Sequence, residues 1–188
     1  MNVLLSAYAC CPGKGSEPQI GWNWAREISA RQPTWILTRR LHQRAIEGYL
    51  HDHSLPNAHF VYVDLPRWAR AWKDLPGGVY VYYLLWQFLA YRRAQRLCRE
   101  VRFHVAQHVT FCMFWMPSFL SFLSLPFIWG PVGGGEAMPA AFRAELPRGQ
   151  RIFERFRDFT RELVLWNPLV RATARRSLLA LALSLIHI

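Results

Sequence analysis

The sequence predicts an α/β domain, a parallel sheet with helices wound over both faces. Three observations predict it. Short apolar runs without helical spacing open the chain and recur at residues 33–38 and 59–64, as buried parallel strands do. Stretches of helical spacing separate them, and the order βαβαβ argues for parallel strands joined by right-handed crossovers. Gly- and Pro-rich loops then follow two strands, at residues 12–18 and 130–136. Such folds bind ligands at the carboxyl ends of their strands.

The elements follow in order. Val3, Leu4 and Leu5 form the first strand, and Pro12, Gly13, Gly15 and Pro18 break the chain after it. Gly21, Trp22, Trp24, Ala25, Ile28 and Ser29 resume at helical spacing. Strand, Gly-rich loop and helix N-terminus make a first βα unit whose N–H groups suit a phosphate or a sugar oxygen. A simple turn is the other reading of these glycines. The spacing is not G-x-G-x-x-G, so neither a nicotinamide cofactor nor a dehydrogenase is expected.

Residues 33–38 (PTWILT) read as the second strand, 39–52 as a helix, and 59–64 (HFVYVD) as the third strand. Residues 65–78 are a connection that carries Trp68 and Trp72. Residues 79–90 are strongly apolar and 91–102 turn basic. This apolar part is too short to span a bilayer, which needs ~20 residues. It reads as one long helix, or as an interfacial helix with Arg92, Arg93, Arg96 and Arg99 on lipid phosphates. Residues 103–110 (FHVAQHVT) are the fourth strand, 111–123 an aromatic segment expected to be helical after Pro117, and 126–129 (PFIW) the fifth strand. Residues 142–149 connect to an amphipathic helix at 151–166, on which Ile152, Phe153, Phe156, Phe159, Leu163 and Trp166 recur every three or four residues. Asn167 is the expected N-cap of the next helix and Pro168 its first residue. Residues 177–188 lead towards another strand.

Composition narrows the function. Apolar residues make up 52% of the 188-residue chain and aromatic residues 15%, ample for a core and against disorder. The formal net charge is +11, and all but Lys14 and Lys73 of the 23 basic residues are arginine. Such a surface favours anionic partners. The arginines are spread over several helices without a recognition motif, so no nucleic acid is expected. Cys10, Cys11, Cys98 and Cys112 contain no C-x-x-C pair. They read as reduced thiols of a cytosolic protein, without a zinc site. No secretory signal is visible.

The blocks LLSAYACCPGKGSEPQIGWNWA, HFVYVDLPRW, VYYLLWQ, QHVTF and PFIWGPVGGGE resemble the N-terminal domain of family 4 glycosyltransferases with a GT-B fold. The resemblance covers about residues 1–176. It implies a Rossmann-like domain that holds the acceptor and faces a second, donor-binding domain across a cleft. It implies a retaining transfer from a nucleotide-sugar to a glycan or lipid-linked acceptor, with no metal or other cofactor. Together with the cysteine usage, a cytoplasmic protein is expected, at the inner face of the membrane where the basic helix acts as an anchor. The family's donor domain carries an E-x7-E pair, and no such donor module is found in this chain, nor room for one. The chain therefore reads as one incomplete domain over residues 1–183. The final SLIHI at 184–188 resembles translated adaptor sequence and is expected to be non-native.

Site residues follow from the resemblance and from the chemistry of the transfer. An oxocarbenium-like centre and a departing diphosphate must be stabilised. Gly13, Gly15 and Ser16 are expected to offer N–H groups to the diphosphate. Glu17 is expected to bind an acceptor hydroxyl or to cap the first helix. His108, at the end of the fourth strand, is the catalytic candidate, with Thr110 beside it. Gly133, Gly134, Gly135 and Glu136 are expected to line the cleft, or else to pack as a tight loop. Trp115 is expected in the core rather than under a sugar ring. The competing reading is a non-enzymatic module of the same fold that binds glycan or an anionic membrane.

Overall fold

The structure is a computed structural model that describes residues 1–66, 69, 77–135, 142, 146–147, 149–152, 159, 162–164 and 166–182. Its elements are β1 (Val3–Ser6), α1 (Glu17–Ser29), β2 (Thr34–Arg39), α2 (Gln43–Asp52), β3 (Ala58–Val63), α3 (Gly78–Glu100), β4 (Val105–His108), β5 (Phe127–Val132), α4 (Pro168–Arg176) and β6 (Ser177–Ala182). Short 3-10 turns cover Arg40–His42 and Phe119–Phe122. The strands form one all-parallel sheet in the order β3-β2-β1-β4-β5-β6. The expected Rossmann-like doubly wound fold is present. The strand order reverses between β1 and β4, and that switch point is where open α/β sheets hold ligands.

Both faces of the sheet are covered, as the period-2 alternation of strand side chains requires. Leu4, Leu37 and Phe127 belong to one core, with Tyr83, Trp86, Ala90, Ala94 and Leu97 of α3 and Val170 of α4. Leu5 and Ile36 belong to the other, with Trp22 and Ala25 of α1 and Ile46 of α2. Trp22 and Trp86 are among the largest fully buried side chains. Truncating either to Ala would cost about 3–5 kcal/mol on general grounds.

The local structure differs from the sequence reading in four places. First, α1 begins at Glu17, upstream of Gly21, with Pro18 in its first turn. Proline is tolerated there because its missing N–H has no intrahelical acceptor. Second, Arg39 closes β2 and pairs with Val63 instead of opening a helix. Third, the aromatic segment after β4 holds only the short turn at Phe119–Phe122. Backbone bonds to a neighbouring loop hold its start extended: Gly133 N–H donates to Cys112 O at 2.9 Å and Phe114 N–H to Gly133 O at 3.1 Å. Fourth, β5 runs on to Val132, so Gly130 and Pro131 lie in the sheet.

Asn167 does cap α4, its side chain accepting from Leu169 N–H at 3.0 Å. The amphipathic stripe of residues 151–166 is not core where it is described. Ile152, Phe159, Leu163 and Trp166 are all exposed, and Phe153 and Phe156 lie outside the described residues. So do Trp68, Trp72, Glu136 and residues 183–188. The four cysteines are free thiols. Among the described residues no helix is long and apolar enough to cross a membrane.

Gly21 packs α1 onto the strand edge. A methyl group there would lie 2.0 Å from the Ala9 carbonyl oxygen and 2.9 Å from Thr110 Cγ2. Gly21→Ala is expected to destabilise the chain by about 3 kcal/mol, because the clash is with backbone. Gly48→Ala on α2 meets nothing within 4 Å and is expected to stabilise by about 0.5–1 kcal/mol. Urea unfolding followed by circular dichroism reads both. An unchanged midpoint for Gly21→Ala would show that the seam yields.

Candidate functional site

The candidate site is the carboxyl edge of the sheet, where the exits of β1, β4 and β5 meet. The exits of β1 and β4 are bound together. Val109 N–H donates to Ser6 O at 3.0 Å, and Ala9 N–H donates to Thr110 Oγ1 at 3.0 Å. Thr110 is thereby buried and its hydroxyl engaged. The Glu17 carboxylate accepts from Phe111 N–H at 2.9 Å. Glu17 thus ties the first loop to the exit of β4, and the first-turn N–H groups of Gln19 and Ile20 go to Ser16 O. It does not cap α1 as the sequence reading had offered. Phe111 and Ser16 both carry positive φ, 61° and 63°, a costly backbone state for residues other than glycine. The strain sits at the two ends of this latch.

The first Gly-rich loop projects from the edge. Gly13, Lys14, Gly15 and Ser16 are exposed. Gly13 takes φ +69°, and a side chain at Gly13 or Gly15 would meet nothing within 4 Å. The N–H groups of Gly13, Gly15 and Ser16 donate to no described group. Pro12 and Gly13 also wall an open cleft of about 530 Å³ that runs between α1 and α2 past Arg26, Tyr49 and His53.

The second Gly-rich loop is packed rather than open. Gly133 exchanges backbone bonds with Cys112 and Phe114. Gly134, at φ +82°, lies under the Trp115 ring, 2.6 Å from where a Cβ would sit. Gly135 is exposed. The structure brings this loop against the exit of β4, with half-buried Trp115 as the packing surface.

His108 lies at the end of β4 but turns inward, with 2% of its surface exposed. Its Nδ1 is 2.6 Å from the Ser118 hydroxyl. Its Nε2 is 3.0 Å from Thr110 O and 2.7 Å from the Tyr83 hydroxyl. A carbonyl can only accept, so the proton sits on Nε2 and Nδ1 accepts from Ser118. Burial holds the imidazole neutral, lowering its pKa to about 4, partly opposed by the bond to Thr110. In this conformation no ring nitrogen is left to touch a substrate. The arrangement makes His108 a clamp that joins β4, α3 and the loop to Ser118.

A second polar group on this edge was not singled out from sequence. Tyr8, just past β1, stacks edge-on against Tyr83 and Trp86. The Arg39 guanidinium lies 4.2 Å above the Tyr8 ring. Arg39 Nε donates to Tyr8 O at 3.4 Å, and Nη2 lies 3.3 Å from His42 Nε2. Asp64, just past β3, accepts from the Tyr82 hydroxyl and from Leu65 N–H. The only signal in the sequence was position, since each residue ends or follows a predicted strand.

Comparison with protein-family models, with curated proteins and with solved structures gave no match in any of the three.

The buried neutral histidine makes stability pH-dependent. The unfolded residue titrates near 6.5 and the folded one near 4, so between these values the unfolded chain binds the extra proton. Stability is full above pH 6.5 and falls as the pH drops towards 4, by up to about 3 kcal/mol from this group. Urea unfolding at pH 7.5 and 4.5 measures the fall. His108→Gln is expected to show a shallower one, and equal falls would mean that His108 does not carry it.

Proposed function

We propose that the chain is the acceptor-side domain of a retaining glycosyltransferase that uses a nucleotide-sugar donor. The observation that carries the reading is the exposed loop Gly13–Lys14–Gly15–Ser16 at the topological switch point, with N–H groups unused by any described group. Free N–H groups at a strand-to-helix turn suit a diphosphate, and the helix dipole adds to them. The sequence blocks that resemble family 4 enzymes surround the same edge.

In this reading the chain's own chemistry is electrostatic and positional. Loop N–H groups stabilise charge that builds on the departing diphosphate. The Glu17–Phe111 latch and the Ala9–Thr110 bond fix the loop relative to β4. His108 acts as a positioning residue through Tyr83, Ser118 and Thr110. The exposed Ile152, Phe159, Leu163 and Trp166 are apolar surface of the kind a facing donor domain covers.

The test begins with the source gene read through and beyond codon 184, where this reading predicts a second domain with paired glutamates. In that longer protein, sugar transfer from a radiolabelled nucleotide-sugar is measured. Gly15→Asp adds a negative charge where there is open space, so the fold is expected to persist and kcat/KM to drop about tenfold or more. Transfer unaffected by this charge would remove the loop from the mechanism.

A second reading is supported by one surface. On α3, Val81, Leu85 and Phe88 are exposed and share a stripe with Arg92, whose guanidinium lies over the Phe88 ring. Arg93, Arg96 and Arg99 are exposed beyond it. Apolar side chains followed by arginines suit an anionic bilayer surface. Sedimentation with anionic liposomes is expected for the wild type and lost when Arg92, Arg93 and Arg96 become Glu. Equal partition of the two proteins would sink the membrane contact.

A further inference from the structure

Arg39 and Tyr8 form a feature that the transferase reading does not use. Arg39 ends β2, and the β1–β2 register, Ser6 beside Leu37, brings it level with Tyr8 when carried two residues on. Arg39 is 9% exposed and Tyr8 3%. No carboxylate among the described residues forms an ion pair with the guanidinium. Its partners are the Tyr8 carbonyl, His42 and the Tyr8 ring, which leaves Nη1 without a described acceptor. The Tyr8 hydroxyl is also buried and has no hydrogen-bond partner among the described residues. Burial raises the Tyr8 pKa, and the Arg39 guanidinium opposes this by its charge and by a close contact to the hydroxyl that falls short of full hydrogen-bond geometry. Asp64 lies within electrostatic range of Tyr8, but its carboxylate holds Tyr82 and Leu65.

A buried cation without a counter-ion is costly, and a buried hydroxyl without a partner adds to the cost. Cation–π contact with Tyr8 offsets part of it. Both groups are donors, and both lie at the ligand edge of a parallel sheet. A guanidinium edge beside a phenol hydroxyl is the donor set that a tetrahedral oxyanion satisfies. We propose that Arg39 and Tyr8 form a binding site for the phosphoryl group of a small molecule, between the carboxyl ends of β1 and β2. The site stands on these two residues and does not require the transferase reading.

Titration calorimetry of the whole chain with sodium phosphate, against sodium chloride at matched ionic strength, tests it. One phosphate per chain is expected. Arg39→Met is expected to weaken binding about tenfold or more, and Tyr8→Phe about threefold, as loss of a charged and a neutral donor predicts. Glucose 1-phosphate bound more tightly than inorganic phosphate marks a phosphorylated metabolite as the ligand, and equal constants mark the free ion. Absence of phosphate binding by the wild type overturns the proposal, as does wild-type affinity in Arg39→Met. If Arg39→Met loses the native circular dichroism spectrum, Tyr8→Phe decides, and an unchanged constant for it overturns the proposal.

Discussion

The bond from Ala9 N–H to the Thr110 hydroxyl, at 3.0 Å, crosses the seam on which the rest of the molecule depends. β1 and β4 are the strands between which the sheet order reverses. At such a seam the exit loops diverge towards opposite faces, and nothing in the sheet itself holds them together. Here the loops are held by that bond, by Val109 N–H to Ser6 O, and by the Glu17 carboxylate on Phe111 N–H. Gly21 lets α1 come close enough for this to happen, since any side chain there would strike the Ala9 carbonyl. Two residues with positive φ, Ser16 and Phe111, flank the latch. The contacts offset that strain and fix the geometry of the loops.

Behind the seam the structure relies on a polar centre that is fully used. His108 bonds Ser118, Thr110 and Tyr83, and it is neutral because burial disfavours the charged ring. Such a group is stiff, because each lost partner leaves a buried polar atom unpaired. The same aromatic layer extends through Tyr83 to Tyr8 and Trp86. In front of the seam the situation reverses. The N–H groups of the first Gly-rich loop and one end of Arg39 have no described acceptor. Stiffness behind and unused donors in front is the arrangement that preorganised binding of an anion requires.

The surface electrostatics are less specific. The described ion pairs, Arg26–Glu27 and Arg31–Glu27, and the His51–Asp52 hydrogen bond are all exposed. Exposed pairs of this kind add little to stability, because water and salt screen them. The excess of arginine therefore acts mainly through the field of the molecule rather than through its stability.

The sequence by itself determined the α/β class and nearly every strand, because apolar runs of β length and helical spacing alternate without ambiguity. It also determined the cap at Asn167, where an N-cap residue precedes proline. The tertiary structure alone decided what the candidate residues do. His108 sits at a strand end in either view, but which way its ring turns depends on Tyr83 and Ser118, distant in sequence. Gly133 and Gly134 read either as cleft lining or as a tight packed loop, and only the fold shows Cys112, Phe114 and Trp115 packed on them. Glu17 was placed at a helix start, but its acceptor role goes to Phe111, 94 residues away. Arg39 and Tyr8 came together only through strand register. Periodicity reports local backbone geometry, whereas the partners of a buried polar group are chosen by long-range packing, which a single sequence does not encode locally.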